Sequence, residues 1–486
     1  MRRLIHDLVG QFIFGRSEAP IPDGWLVRRS GGWLLASHPR LPIIDIVGSD
    51  GSCLGWALGY PIHPAGILLT SRFQIPIPPG HPLGPAEFEQ HLYTLGGRFA
   101  AVFLGHTQSR VYLDPCGSLA VVYCPGQRLV ASSLNLIPPE AGTPEHHELI
   151  RAVGVVERAR WYPFGLTPRR GVERLLPNHA LDLETWQPVR HWPIDGLPPT
   201  NPDIAGAVAE IAIVAETAIG AVARAHPVAM PLTAGRHTRM QLACARRHLP
   251  GMVFFTLPLP DEHAVLDCAV AGRIARRFRL RYVPLLWEEA TANELDAWLY
   301  RTGACVAGRT WKTVRTLNQL DPGRCILSAI FGELGGPASS RNADADPRAS
   351  PRDLVTRFLR LIPTPELVER ARQWLEHVPA KGAFGVLDFL RLEQRYGCWA
   401  GPQEYGPTNP AFQLSPFCHR RVVELALTLP VDYRKRDQLP RDLIQSRWPE
   451  LLRFPFNQPL GPKAILPASR RAIRSMVRSF LPQPPA

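Results

Sequence analysis

At Asp203 the hydrophobic pattern changes period, and this change limits the folds open to the chain more than any other feature. Before it, from Gly24 to about Ile137, apolar runs are short and are broken by Gly, Pro and Asp. Trp33–Ala36, Leu41–Ile44, Arg98–Phe103, Arg110–Leu113 and Leu119–Cys124 are examples. Runs of this kind predict a β-rich unit with tight turns, interrupted by one helix over Pro85–Leu95. A mostly helical and irregular bridge is expected from there to about Trp192, and Pro193–Pro202 (PIDGLPPTNP) reads as a linker. After it, strand and helix alternate. The spacing predicts a long helix over Ile204–Ala225, strands over Val228–Leu232, Met252–Leu257 and Tyr282–Leu286, and helices between them over His237–Arg247 and His263–Phe278. Strands separated by single helices form a parallel sheet with crossovers. Cys325–Ile330 adds a further buried strand, and Ser339–Pro351 reads as a polar loop. Helices follow over Arg352–Leu361, Pro365–His377, Ala383–Tyr396, Arg420–Leu429 and Gln438–Ser446, with a basic amphipathic helix over Ser469–Leu481.

A chain of 486 residues is too long for one hydrophobic core. The expected organisation is an α+β N-terminal domain of β-sandwich type over 1–195, then an α/β parallel-sheet domain over 203–481 with a helical C-terminal part. The 55 Lys and Arg against 42 Asp and Glu leave a net charge of +13. The arginines are scattered along the sequence, and a nucleic-acid role requires a clustered face; an attraction to anionic ligands such as ATP or pyrophosphate explains part of the excess equally well. Nine widely spaced cysteines without a CxxC pair argue against a disulfide framework or a zinc site and for buried, reduced thiols. No stretch reads as long enough to span a bilayer. The opening MRRLIHDLVGQFIF reads as a terminal helix, because Asp7 interrupts its apolar run and no small-residue cleavage site follows. These features together point to the cytoplasm and to no membrane partner.

Four segments, in this order, resemble asparagine synthetase and its relatives, in which a class II glutamine amidotransferase domain precedes an ATP pyrophosphatase-type synthetase domain. The first is Gly97-Arg-Phe-Ala-Ala-Val-Phe103 with Tyr112-Leu-Asp-Pro-Cys-Gly-Ser118, Val122-Tyr123 and Ala131-Ser-Ser-Leu134. The second is Val172-Glu-Arg-Leu-Leu-Pro-Asn178 with His191-Trp192. The third is Pro231-Leu-Thr-Ala-Gly-Arg-His-Thr-Arg239, at the place of the pyrophosphate loop. The fourth is Ser415-Pro-Phe-Cys-His-Arg-Arg-Val-Val-Glu-Leu-Ala426 with Leu429-Pro430. Their order and spacing agree over about residues 90 to 460. The resemblance implies a glutaminase-like first domain and an adenine nucleotide alpha hydrolase-like second domain.

The resemblance also identifies where the chemistry departs from the family. Glutamine-hydrolysing members use a cysteine at residue 2, whose thiol attacks while its own amine acts as base. Here residue 2 is Arg, so the first domain is expected to persist as structure or as a docking surface for a partner protein. Cys116 sits in a turn and reads as structural. The family loop Ser-Gly-Gly-x-Asp-Ser is matched by Thr233, Ala234, Gly235, Arg236, His237 and Thr238. Free N–H groups at a helix start make such a loop an anion site. His237 stands where a carboxylate is expected, and magnesium prefers oxygen ligands. The family's later acidic loop is matched by Gly332 and Glu333, but Gly336 and Pro337 replace its next two acidic residues. Asp267 matches an acidic position and reads as a helix cap, with nucleotide contact as the alternative. Lys463, one of only four lysines, falls near the family's late catalytic lysine. Arg391, Glu393, Gln394 and Arg395 either line a cleft or are paired and solvated around a packing face.

By resemblance, then, the chain is an ATP-dependent, AMP-forming amide ligase without its own glutaminase. Glu333 and Lys463 are its expected catalytic residues, and ATP with Mg2+ the expected cofactors. The substrate would be a small-molecule or peptide carboxylate. The alternative is a pseudoenzyme that keeps the fold as a scaffold.

Overall fold

The computed structural model describes residues 8–16, 21–78, 81–139, 145–260, 262–336, 350–380, 382–407 and 412–457. The molecule is mixed α/β, with an antiparallel region, a parallel sheet and helices. Among the described residues the strands form three sheets.

The first two sheets face each other. One runs Glu173–Arg174, Val122–Cys124, Leu129–Ala131, Phe12–Arg16, Trp33–Ser37, Leu26–Ser30, with every neighbour antiparallel. The other runs Pro188–Arg190, His179–Asp182, Ser109–Leu113, Gly96–Leu104, Cys53–His63, Ile43–Val47, Arg72–Gln74. Alternate residues point to opposite faces of a strand. Phe14, Trp33 and Leu35 of the first sheet therefore meet Trp56, Leu58, Val102 and Leu113 of the second in one core. The intervening residues Ile46, Ala57, Phe99 and Phe103 turn outward and are covered by Phe88 and Leu92 of the helix Pro85–Tyr93.

Two expectations fail here. Phe12–Arg16, read as part of a terminal helix, is a central strand, and residues 1–7 lie outside the described residues. The bridge to Trp192 is less helical than expected. Among the described residues it holds one helix, His147–Val153, whereas His179–Asp182 and Pro188–Arg190 extend the second sheet through the pairing Leu181↔Val111. A strand of this length is specified by a distant partner, not by its own sequence.

The third sheet is wholly parallel, in the order Tyr282–Pro284, Val253–Thr256, Val228–Pro231, Cys325–Leu327, Phe412–Leu414. Its first four strands were legible in the sequence, and Phe412–Leu414 was not. Asp203 caps the helix Ile204–Ala225 by accepting from Gly206 N at 2.8 Å. By length and composition this helix matches a membrane span, contrary to the sequence reading. Here it is a core helix: Val208, Ile211, Ala215, Ile219 and Val222 are buried, and Glu210 and Glu216 pair with Arg421 and Arg447.

The C-terminal part is helical, as expected, with Pro365–Glu376, Arg420–Thr428 and Leu439–Arg447 close to the predicted bounds. The helix expected over Ala383–Tyr396 changes type. It is α over Gly382–Phe389 and π over Leu390–Ala400. The polar loop, except for Ser350 and Pro351, and the helix over Ser469–Leu481 lie outside the described residues. No cysteine among the described residues forms a disulfide, and all nine but Cys53 and Cys268 are buried.

Candidate functional site

The parallel sheet locates a crevice. From Val228–Pro231 the chain proceeds outward through Val253–Thr256 to Tyr282–Pro284. It then returns to the other side of the first strand with Cys325–Leu327. Ligands in open parallel sheets bind beyond the carboxyl ends of the strands, at such a reversal of strand order. The segments that leave those carboxyl ends are Leu232–Gly235 and Ser328–Gly336, the two loops in which the sequence placed its site residues.

The first loop is held from both sides. Gly235, in an extended conformation, is the N-cap of the helix Arg236–Cys244. Thr233 Oγ1 accepts from Gly235 N at 3.0 Å and lies 2.8 Å from Thr238 Oγ1. Ala234 N donates to Asp267 Oδ1 at 2.9 Å. Asp267 is thus not the cap of its own helix. That helix begins at Glu262, more than a turn earlier, and the carboxylate reaches across to the loop. The N–H groups of Arg236, His237 and Thr238 have no acceptor among the described residues. Three donors of a first helical turn facing a crevice constitute an anion site.

Arg239 was missed by the sequence reading. It is fully buried and donates to the carbonyls of Ala234, Gly235, Phe454 and Pro455. Phe456 lies 3.9 Å from its guanidinium, and Asn457 N donates to Ala234 O at 3.0 Å. One buried cation therefore gathers the loop's carbonyls and ties the loop to the segment Phe454–Asn457. An arginine four residues into the helix was the only available signal.

Asp437 was also missed. It adopts φ 52° and pairs with Arg236 Nη1 at 2.5 Å. Its Oδ1 lies 3.9 Å from His237 Nε2, and both atoms are buried without a hydrogen-bond partner among the described residues. Burial pulls the His237 imidazole below its ordinary value, while Asp437 and Glu333 push it back up. His237 is accordingly neutral at neutral pH and adds no positive charge to the anion site.

On the second loop, Glu333 sits half-buried in the short helical segment Ile330–Gly335, with a carboxylate that has no partner among the described residues. Arg391 holds its backbone, donating from Nη1 to Glu333 O at 2.7 Å and to Gly336 O at 3.3 Å. At Gly332 a Cβ would lie 2.6 Å from the Met240 side chain and 3.2 Å from the Phe417 ring, so this glycine seats the second loop against the first helix. Lys463 and Pro337 lie outside the described residues.

The phosphate part of a nucleotide fits this donor set. Magnesium does not. Asp437 is already neutralised by Arg236, His237 offers nitrogen, and among the described residues no three His, Cys, Asp or Glu side chains converge as a metal site.

Glu393 and Gln394 of Leu390–Ala400 are structural, whereas Arg395 is exposed beside the Trp399 ring. Glu393 is fully buried and accepts from Arg190 at 2.6 and 3.0 Å, Asn178 at 3.0 Å and Trp374 at 2.8 Å. Gln394 Oε1 accepts from Phe164 N at 2.6 Å. The turn at Cys116 is likewise built as a support. Buried Asp114 accepts from the N–H groups of Phe99, Cys116, Ser118 and Leu119, and from Cys418 Sγ at 3.1 Å.

The chain matches no family model and no curated protein. The site is therefore described by its own geometry alone: three free N–H groups at a helix start, at the reversal of strand order in a parallel sheet, with the half-buried Glu333 on the loop after the neighbouring strand.

Proposed function

We propose that this crevice binds the phosphates of a nucleotide, and that the chain is a divergent asparagine synthetase-like protein acting as an ATP-dependent amide ligase without its own glutaminase. The observation that carries the reading is the set of three unpartnered N–H groups at Arg236, His237 and Thr238, set at the switch point and faced by Glu333. In this reading the substrate carboxylate attacks the α-phosphorus and pyrophosphate leaves. An amine then attacks the acyl carbon and AMP leaves. The N–H groups receive the phosphate oxygens, where both the donors and the helix dipole favour negative charge. Glu333 is placed to accept a proton from the incoming amine. The first domain acts as a support, because its turn at Asp114 and its Arg190 are engaged by the synthetase-like half. The finer domain assignment, glutaminase-like followed by adenine nucleotide alpha hydrolase-like, belongs to this same proposal.

A second reading, a scaffold that retains the crevice but not the chemistry, is favoured by the Arg236–Asp437 pair, which occupies an acidic group beside the loop. Calorimetry of ATP binding, with and without magnesium, separates the two. Wild type is expected to bind ATP at roughly micromolar strength, with Gly235→Trp abolishing it by filling the crevice. No heat from wild type, with binding gained in His237→Asp, would establish the scaffold reading and sink the ligase.

A further inference from the structure

The end of the parallel sheet remote from the crevice carries a second charged surface. Arg273, Arg276, Arg277, Arg279 and Arg281 occupy nine consecutive positions, and all five are exposed. None of them pairs with an acidic side chain among the described residues, and Arg277 touches only the ring of its neighbour Phe278. On the helix Glu262–Phe278 the arginines at 273, 276 and 277 share one face by three- and four-residue spacing. Val270, Ile274 and Ala275, between and beside them on the same helix, are buried. Arg279 and Arg281 continue the row along the turn into the strand Tyr282–Pro284. These arginines are already close together in the sequence, and the fold leaves all five exposed on one edge of the parallel sheet.

Helix C-termini favour cations, but each offers only about half an elementary charge and only over its last turn. Five guanidinium groups exceed that, and like charges at this spacing repel. The surface is therefore not explained by the stability of its own helix.

The adjoining strand pairs with Val253–Thr256 on one side only among the described residues. Tyr282–Pro284 is the edge of the parallel sheet. Phe254 N donates to Arg281 O at 2.8 Å and Leu285 N to Thr256 O at 3.2 Å, so the inward-facing backbone alternates with an outward-facing set. That set is the N–H and C=O of Tyr282 and the C=O of Pro284. Val283 and Leu286 beside it are 43% and 75% exposed. The Tyr282 ring is not available for stacking on a base, since its hydroxyl lies 2.8 Å from Thr256 Oγ1 in the interior.

We propose that this arginine row and the neighbouring edge strand dock an acidic segment of a partner polypeptide, in an extended conformation, with its carboxylates on the arginines and its apolar side chains on Val283 and Leu286. Charge complementarity identifies the partner as acidic. The exposed valine and leucine, beside an edge strand with outward backbone N–H and C=O groups, favour an extended polypeptide; among the described residues the half-exposed Trp287 next to Leu286 is the one ring near this edge that a base could use, and the oligouridylate arm of the test decides that case.

The test is fluorescence anisotropy on the full chain with a labelled Glu-rich peptide carrying interspersed valines, its Gln-for-Glu counterpart, and a labelled oligouridylate. The variants are R276E/R277E/R279E and, as a control of equal charge change on another exposed surface, R352E/R357E/R360E. The expected result is salt-sensitive binding of the Glu peptide over the Gln peptide, weakened roughly tenfold or more by the first triple variant and not by the second. Equal binding of the Glu and Gln peptides, or equal loss in both triple variants, would overturn the proposal. Tighter binding of the oligouridylate through the same arginines would overturn it in favour of a nucleic-acid surface.

Discussion

Glu404 and Arg98 face each other in the interior, 3.6 Å apart, with 15% and 7% of their side chains exposed. Burial raises the Glu404 carboxyl to about 7, against the pull of Arg98. A carboxyl whose pKa is raised on folding holds its proton more tightly in the native state. Its contribution is complete below the unfolded value of 4.5 and is lost as pH climbs through about 7. Relative to Glu404→Gln, wild type should lose stability between those limits, at no more than about 1.4 kcal/mol per pH unit. Urea unfolding of both proteins at several pH values reads this directly, and parallel pH profiles would refute the assignment. The same contrast between near and distant partners decides what was legible at the candidate site. Thr233, Gly235 and Thr238 lie within six residues and announce a loop that ends in a helix. Asp437, which pairs with Arg236 from 201 positions away, and the docking of Arg239 on Phe454 and Pro455, leave no mark in any local window.

The helix from Gly382 to Ala400 illustrates the element scale. Its apolar spacing predicted a helix, and a helix forms, but its second half widens to π geometry over Leu390–Ala400. Where this element crosses the first half of the molecule, side chains are excluded. At Gly397 a Cβ would lie 2.3 Å from Pro177 Cδ, and at Gly401 it would lie 2.2 Å from Gly117 O. Gly401 has helical φ and ψ, −61° and −54°, so alanine there suits the backbone and would by itself gain up to about 1 kcal/mol. Gly401→Ala is nevertheless expected to destabilise by about 1–3 kcal/mol, because the clash is with a carbonyl that cannot move aside alone. A lower urea midpoint at unchanged slope is the expected result, and a raised midpoint would show that the crossing is loose. Helical periodicity was visible in this segment, whereas the choice of π over α was not. That choice depends on seating Glu393 against Arg190, Asn178 and Trp374 at once.

Across the whole molecule, the two halves do not have separate interiors. One hydrophobic cluster runs from Tyr60, Ile62, Cys116 and Phe164 of the first half to Met230, Phe331, Tyr396 and Phe417 of the second. Tyr60 stacks on Phe412 at 3.7 Å, and Arg420 donates to Asn178 Oδ1 at 2.7 Å. Breaking a buried ion pair by removing one partner costs about 3–5 kcal/mol, and separating the halves would expose both members of Arg190–Glu393 together with this core. The halves are therefore expected to unfold together. Far-ultraviolet circular dichroism and tryptophan fluorescence should report one coincident transition in urea. Two resolved transitions would mean that the shared core contributes little.

By itself the sequence determined the first four strands of the parallel sheet with the helices between the first three, the β-rich character of the first half, and the position of the helix-start loop. These follow from periodicity, turn residues and spacing, which act over a few residues and so are written locally. Only the tertiary structure decided that Phe12–Arg16 and His179–Asp182 are strands, that Asp267 braces a loop instead of capping a helix, and that Asp437 and Arg239 belong to the loop at Gly235. Each of these depends on a partner far along the chain, and the free energy that selects it exists only once the two segments have been packed together.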